Sequence, residues 1–134
     1  MEYLKMDELK VTCIAAEEDF AFFGITFDDL LERTESGFRF IKKAKELAGI
    51  NQKVEWTNIA YTLQISMLPD QRVSLTFSER IDDYIESLKH SMGIADAQTS
   101  KVLKEFIDAL EKADEESARI MVSHFEKNVR ETKA

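Results

Sequence analysis

Two runs of alternating side chains occupy residues 59–77, which read IAYTLQISM, then LPDQR, then VSLTF. In each run every second residue is large and apolar, which gives a β-strand one apolar face and one polar face. Pro69 and Asp70 lie between the runs and favour a tight turn, so the pattern predicts a β-hairpin. Because a two-stranded ribbon is not stable alone in water, other parts of the chain must cover its apolar face.

A third alternating run, residues 8–15, predicts another strand and places Cys13 on its apolar side. We interpret Cys13 as a small buried core residue. A reactive cysteine needs a basic or helix-terminal environment, and the three residues Glu17, Glu18 and Asp19 provide the opposite charge nearby.

Helical patterns separate this strand from the hairpin. The acidic and aromatic run 17–24 predicts a short helix closed by Gly24, and Thr26 is predicted to cap the next helical turn. Residues 34–48 repeat apolar side chains with helical spacing, and Gly49 is predicted to end that helix. The expected fold is α+β: a small three-stranded sheet in the order β-α-α-β-β, covered by helices.

The rest of the chain is predicted to form three amphipathic helices, at about residues 78–92, 96–113 and 115–131. An amphipathic helix gains most of its stability by burying its apolar stripe, so each needs a packing partner. We expect a domain at residues 1–78 and a helical extension at 79–134, packed on that domain or on a second subunit. The candidates for a homodimer interface are stripe residues of the last two helices: Leu103, Phe106, Leu110, Met121, Phe125 and Val129.

Composition narrows the classes of partner. The net charge of -8 and the isoelectric point near 4.8 argue against nucleic acid and against an anionic membrane surface as partners. The acidic segment 1–33 either faces a basic protein or is simply a solvated surface. A single cysteine and the absence of an apolar run long enough to span a membrane predict a reducing, cytoplasmic location.

Motifs for catalysis or cofactor binding do not emerge from the sequence. The four glycines are scattered singly, and His90 and His124 fall on different predicted helices without further ligands at metal-binding spacing. We therefore expect no enzyme activity, no metal and no cofactor. The candidates for binding a protein partner are the aromatic residues near the acidic segment: Phe20, Phe22, Phe23 and Phe27.

The first 78 residues resemble the N-terminal domain of MecA-type adaptor proteins. The resemblance rests on the order of the predicted elements and on five local stretches. These are LKVTCIA (9–15) with the acidic EED after it (17–19), GITFDDLL (24–31), FRFIKKA (38–44), YTLQI (61–65) and VSLTF (73–77).

The resemblance implies a non-enzymatic adaptor involved in negative control of genetic competence. In such proteins the N-terminal domain recognises a client protein, and a separate α/β C-terminal domain docks on a Clp-family AAA+ unfoldase that delivers the client for proteolysis. Residues 79–134 differ from that second domain because their pattern is helical throughout. Two other hypotheses remain: a small ligand-sensing domain with a pocket near Trp56 and Tyr61, and a structural dimerisation module without Clp docking.

Overall fold

A computed structural model describes the backbone of residues 1–57 and 60–133, and the side chains of residues 1–57 and 60–126. It contains strands and helices in an α+β arrangement, as the sequence predicts. The elements are β1 (Glu2–Asp7), β2 (Lys10–Ala15), α1 (Glu17–Phe23), α2 (Phe27–Leu31), α3 (Glu35–Gln52), β3 (Thr62–Met67), β4 (Val73–Ser78), α4 (Ile81–Ile94), α5 (Ala97–Lys112) and α6 (Glu115–Lys133).

The sheet has four antiparallel strands in the spatial order β1-β2-β4-β3. The predicted three-stranded sheet in the order β-α-α-β-β is therefore wrong: the described order is β-β-α-α-α-β-β, and β1 is the missing strand. Most of β1 is exposed, so its side chains lack the alternation between apolar and polar that marks a half-buried strand. The predicted hairpin is confirmed as β3 and β4, closed by a turn in which Gln71 N–H donates to the Leu68 carbonyl over 3.0 Å.

The core of this sheet unit lies on the face covered by α3. Alternate residues of β2 and β4 are all buried there, including Cys13, as its position on the apolar side predicts. Large and small residues of α3 fill the space opposite them. The buried members of this core are Val11, Cys13, Ala15, Ile25, Leu30, Phe40, Ile41, Ala44, Ala48, Val54, Val73, Leu75 and Phe77.

The C-terminal end of α3 differs from the prediction. The helix continues past Gly49 to Gln52, and Lys53 ends it in the left-handed region at φ 57°. A Cβ atom on Gly49 would lie 2.6 Å from the indole nitrogen of Trp56. That nitrogen donates a 2.8 Å hydrogen bond to the Lys45 carbonyl. Gly49 therefore allows the indole to approach the helix, and the prediction that it ends the helix is wrong.

Helices α4, α5 and α6 form a second compact unit together with residues Thr57–Thr62. Glu79 is buried and accepts hydrogen bonds from the backbone N–H of Thr57 at 2.6 Å and from its hydroxyl at 2.9 Å. Asp96 caps α5 by accepting from Thr99 N–H. The apolar stripes of the three helices pack on one another around a core of Tyr84, Ile85, Leu88, Leu103, Ile107, Leu110, Ala118 and Val122.

Candidate protein-binding surface

The four predicted partner-binding phenylalanines differ strongly in exposure. Phe20, Phe23 and Phe27 are half-buried and pack against the sheet-unit core. Phe22 is 84% exposed. Helical spacing explains the difference, because residues three apart, such as Phe20 and Phe23, share a face of a helix, and Phe22 lies outside that face. The structure therefore leaves Phe22 as the member of the set that is available to a partner.

The Phe22 ring is supported from beneath by other rings. It meets Phe23 edge to face, with ring centroids 5.2 Å apart, and Phe23 meets Phe40 in the same manner at 5.1 Å. Phe20 also contacts Phe40 in a tilted arrangement, with ring centroids 5.5 Å apart. Such tilted arrangements are favourable because the positive edge of one ring faces the negative face of the next. This aromatic cluster (Phe20, Phe22, Phe23 and Phe40) links the exposed ring to the core.

The backbone of α1 is fixed at both ends. At its start the Asp19 carboxylate accepts a 2.8 Å hydrogen bond from Ala16 N–H, which satisfies a donor left free at a helix N-terminus. At its end Gly24 adopts a left-handed conformation with φ 67° and donates to the Ala21 carbonyl. Ile25 N–H then bonds to the Phe20 carbonyl at 3.0 Å. Phe22 is thus presented by a short helix whose two ends are closed.

Acidic side chains accompany Phe22 on α1. Glu18 lies one helical turn before Phe22, so the two side chains are neighbours on the surface. Glu17 and Glu18 are both exposed, and among the described side chains neither has an ion-pair or hydrogen-bond partner. We call Glu17, Glu18, Ala21 and Phe22 the α1 surface. It combines an exposed aromatic ring with uncompensated negative charge.

The turn after α1 is held by a capping box around Thr26 and Asp29. Thr26 accepts from Asp29 N–H, as predicted for a cap, while the Asp29 carboxylate accepts from Thr26 N–H at 2.8 Å. The Thr26 backbone N–H and then the Thr34 hydroxyl hold the pKa of Asp29 below its ordinary value. Because this carboxylate stays ionised, the capping box persists well below neutral pH.

A close backbone contact joins α2 to the start of α3. A Cβ atom placed on Gly37 would overlap the carbonyl oxygen of Asp29 and lie 2.8 Å from its carbonyl carbon. Thr34 caps α3 by accepting from Gly37 N–H at 3.1 Å, which confirms the predicted start of that helix. The contact sets the distance between the two helices, and α2 carries Phe27.

The family model of MecA, described as negative regulator of genetic competence, matches residues 1–133. The chain belongs to the MecA family. The resemblance seen in the first 78 residues is thus confirmed, and the match also extends across α4, α5 and α6. Neither a curated protein nor a solved structure matches the chain significantly.

The predicted interface residues of this MecA-family chain lie within its second unit. Leu103 and Leu110 are buried in the core that α4, α5 and α6 share. Phe106, Met121 and Phe125 are half-buried against it, and the Phe106 and Phe125 rings stack with centroids 4.6 Å apart. The side chain of Val129 lies outside the described residues. The homodimer interface stays a prediction, and these stripes have an intrachain partner.

No metal-binding cluster occurs in the described part of this MecA-family chain. Over residues 1–57 and 60–126, no group of three or more His, Cys, Asp or Glu side chains is placed to hold a metal ion. In the same ranges every buried side-chain nitrogen or oxygen has a hydrogen-bond partner. No helix in the described part of the chain has both the length and the apolar character needed to cross a bilayer.

We predict that Cys13 does not react with a thiol reagent while the protein is folded. Its side chain is fully buried, and its thiol lies 3.7 Å from the Ala44 carbonyl, to which it donates. Burial raises the pKa of the thiol from 9.0 to about 12, so the reactive thiolate is scarce at neutral pH. Ellman's reagent should label the native protein only as fast as it unfolds, with Cys13→Ala as the blank.

The same raised pKa predicts a change of stability with pH. Between pH 9 and about 12 the unfolded thiol loses its proton while the folded thiol keeps it. The unfolded state therefore gains stability over this window, and the contribution of Cys13 to folding is complete below pH 9. Rapid labelling of the native protein at neutral pH would contradict the described burial.

Proposed function

We propose that this chain is a non-enzymatic adaptor that binds a client protein and presents it to a Clp-family AAA+ unfoldase for proteolysis. The observation that carries the proposal is the match of the MecA family, described as a negative regulator of genetic competence, to residues 1–133. A regulator that acts by binding needs an exposed recognition surface rather than a catalytic site. The α1 surface is our candidate for that role.

The exposed Phe22 ring is the proposed anchor for the client. Aromatic side chains dominate the binding energy of many protein interfaces because they remove a large apolar area from water. A ring that is already packed on Phe23 loses little conformational freedom when a partner covers it. Phe23 supports this anchor directly, while Phe20 and Phe27 remain half-buried against the core and are the less exposed candidates for partner contact.

Charge is the proposed source of selectivity. The chain has a net charge of -8, and the exposed Glu18, one helical turn before Phe22, and the exposed Glu17 beside it add negative charge to the α1 surface. A client with lysine or arginine beside an apolar cleft complements this pattern and is attracted at long range. Binding should therefore weaken as salt concentration rises. A reducing cytoplasm remains our proposed location for this interaction.

The helical part is the proposed site for contacts with the unfoldase or with a second subunit. Val102 is 57% exposed and lies one helical turn before Phe106, so both residues share a face of α5. Ile120 on α6 is 54% exposed. As part of this proposal, residues 1–78 form the domain that recognises the client, and residues 79–134 form a helical extension that contacts the unfoldase or a second subunit.

The proposal is tested with purified components. The full chain is mixed with a Clp-family AAA+ unfoldase in the presence of ATP, and complex formation and ATPase rate are measured. We expect a complex and a higher ATPase rate, as an adaptor that recruits the unfoldase requires. A chain that neither binds the unfoldase nor alters its ATPase rate would exclude the delivery role.

Client binding is tested by photo-crosslinking in cells of the host. A benzophenone amino acid replaces Phe22 in one variant and Ile50, which is 69% exposed on α3, in a matched control. We expect a discrete crosslinked protein from position 22 and little of it from position 50, because only a probe within the interface lies next to the bound client. Equal crosslinking from the two positions would rule out the α1 surface as the recognition site.

A further inference from the structure

The sheet has two outer strands, and each has one strand neighbour. The spatial order β1-β2-β4-β3 places β1 at one edge and β3 at the other. An edge strand has backbone N–H and C=O groups on its outer side that a further strand can pair with. Proteins usually protect such edges against unwanted pairing, so the degree of protection indicates which edge is available to a partner.

The β1 edge has two protective features. Charged residues occupy half of its six positions, namely Glu2, which pairs with Arg72 at 3.2 Å, Lys5 and Asp7. The pairing with β2 also shifts between Lys5 and Asp7, so that Met6 bulges out of register. A bulge twists an edge strand and interrupts regular pairing, and charges oppose the approach of another chain. This edge is therefore poorly suited to accept a strand.

The β3 edge lacks these features. Its sequence, TLQISM, contains no charged residue. The charges of the adjoining turn compensate each other, since Arg72 donates to the Asp70 carboxylate at 2.6 Å. A six-residue uncharged strand is long enough to pair along its whole length with an added strand.

The apolar side chains of β3 are also incompletely covered. On the neighbouring strand β4, Val73, Leu75 and Phe77 are no more than 1% exposed. On β3, Leu63 and Ile65 are only half-buried against the same core, and Met67 is 54% exposed. A further strand with apolar residues at every second position would bring them beside these three side chains and complete their burial.

We propose that the β3 edge accepts an extended segment of the client protein as a fifth strand of the sheet. This inference rests on the proposed adaptor function and adds the chemical class of the segment. The segment is uncharged in its centre, has apolar residues at alternate positions and carries lysine or arginine at its ends. Main-chain hydrogen bonds supply affinity in this mode of recognition, and the alternating side chains supply selectivity.

Charge favours a client segment over a second copy of the chain. Each copy has a net charge of -8, so two copies repel each other, whereas a segment with basic ends is attracted. Pairing through the backbone also tolerates many side-chain sequences. An adaptor that binds a client in extended form thereby presents it in the conformation from which threading by an unfoldase begins.

The test uses the full chain labelled with nitrogen-15 and a defined peptide. The peptide alternates valine and threonine in its centre and has two lysines at each end. One control peptide has methyl groups on all central backbone nitrogens, which removes the donors for strand pairing. A second control has glutamates in place of the lysines. Amide chemical shifts are followed across both edge strands, β1 and β3.

We expect shift changes in residues 62–67 and none in residues 2–7. The methylated peptide should bind at least about 10-fold more weakly, because it cannot form the main-chain hydrogen bonds of an added strand. Gln64→Lys adds a charge at an exposed position of β3 and should weaken binding by about the same factor. Leu4→Lys, at a 53% exposed position of β1, is the matched control and should leave binding unchanged.

Three results would overturn the inference: shifts confined to β1 or to the α1 surface and absent from residues 62–67, equal binding of the methylated peptide, or a free chain that self-associates through β3. The unfoldase assay separates this inference from the proposed function. If the chain recruits the unfoldase but shows no peptide-dependent shifts in β3, the adaptor role is supported and the strand site is excluded. If the chain binds the peptide at β3 but does not recruit the unfoldase, the strand site is supported and the delivery role is excluded.

Discussion

Phe40→Ala should lower the free energy of unfolding by about 3–5 kcal/mol. Phe40 is 1% exposed and lies at the centre of the aromatic cluster, where its ring contacts Phe20 and Phe23. Its removal eliminates both ring contacts and leaves a cavity that α3, held by its caps, cannot close fully. Urea denaturation followed by far-ultraviolet circular dichroism measures the change.

Phe22→Ala is the matched control, because it removes a ring of the same cluster from the outside. Phe22 is 84% exposed, so its loss should change the free energy of unfolding by no more than about 0.5 kcal/mol. Comparing the two variants distinguishes Phe40, whose ring stabilises the fold, from Phe22, whose ring is exposed. If both variants lose similar stability, Phe22 is part of the core and does not serve as an exposed anchor.

Gly37→Ala should lower the free energy of unfolding by about 1–3 kcal/mol. Helix propensity alone predicts the opposite, since alanine is favoured over glycine inside a helix by about 1 kcal/mol. The added methyl group would overlap the Asp29 carbonyl oxygen, which belongs to the backbone and cannot rotate away. α2 and α3 must then separate, and the bond between the Thr34 hydroxyl and the Asp29 carboxylate at 3.1 Å must stretch.

Gly93→Ala tests the same substitution without the contact. Gly93 lies in α4, and, among the described residues, no atom other than its chain neighbours and the adjacent helix backbone lies within 4 Å of the position that its Cβ would occupy. The free energy of unfolding of this variant should rise by about 0.5–1 kcal/mol, as helix propensity predicts. Thermal unfolding of the two variants and of the parent chain shows whether each substitution lowers or raises the stability. A stabilised Gly37→Ala variant would show that the approach of α2 to α3 is looser than described.

The alternation of apolar and polar residues was sufficient to predict the two central strands, β2 and β4. On β2 and β4 one face is buried by helices, so selection for apolar residues acts on every second position and leaves a clear pattern. β1 has no such pattern because five of its six residues are exposed. The sequence of a strand with little burial records little about its pairing, which is set here by the partner β2.

The roles of the glycines were predicted less well, because they depend on distant residues. Gly24 ends α1 in a left-handed conformation, which local chemistry predicts. Gly49 lies within a helix and accommodates the ring of Trp56, seven positions further along. A local sequence pattern indicates the backbone preference of a residue, but it does not identify the side chain that packs against that residue in the folded protein.

The candidate surface was only partly predictable for a related reason. An excess of phenylalanine near an acidic segment indicated the region, and helical spacing distinguishes Phe22 from Phe20 and Phe23. The difference between the two sheet edges required the spatial order of the strands. That order brings β2 and β4 together across the 57 residues between Ala15 and Val73, which no local pattern specifies.

Trp56 gives the chain an internal reporter that needs no label. It is the only tryptophan in the sequence, and its indole is fixed to α3 in the sheet-containing unit. Its fluorescence emission therefore reports the melting of that unit, whereas most of the helical dichroism arises from α4, α5, α6 and α3 together. Transitions that coincide in the two signals would indicate one cooperative folding unit, and separated transitions would show that each part can open while the other stays folded.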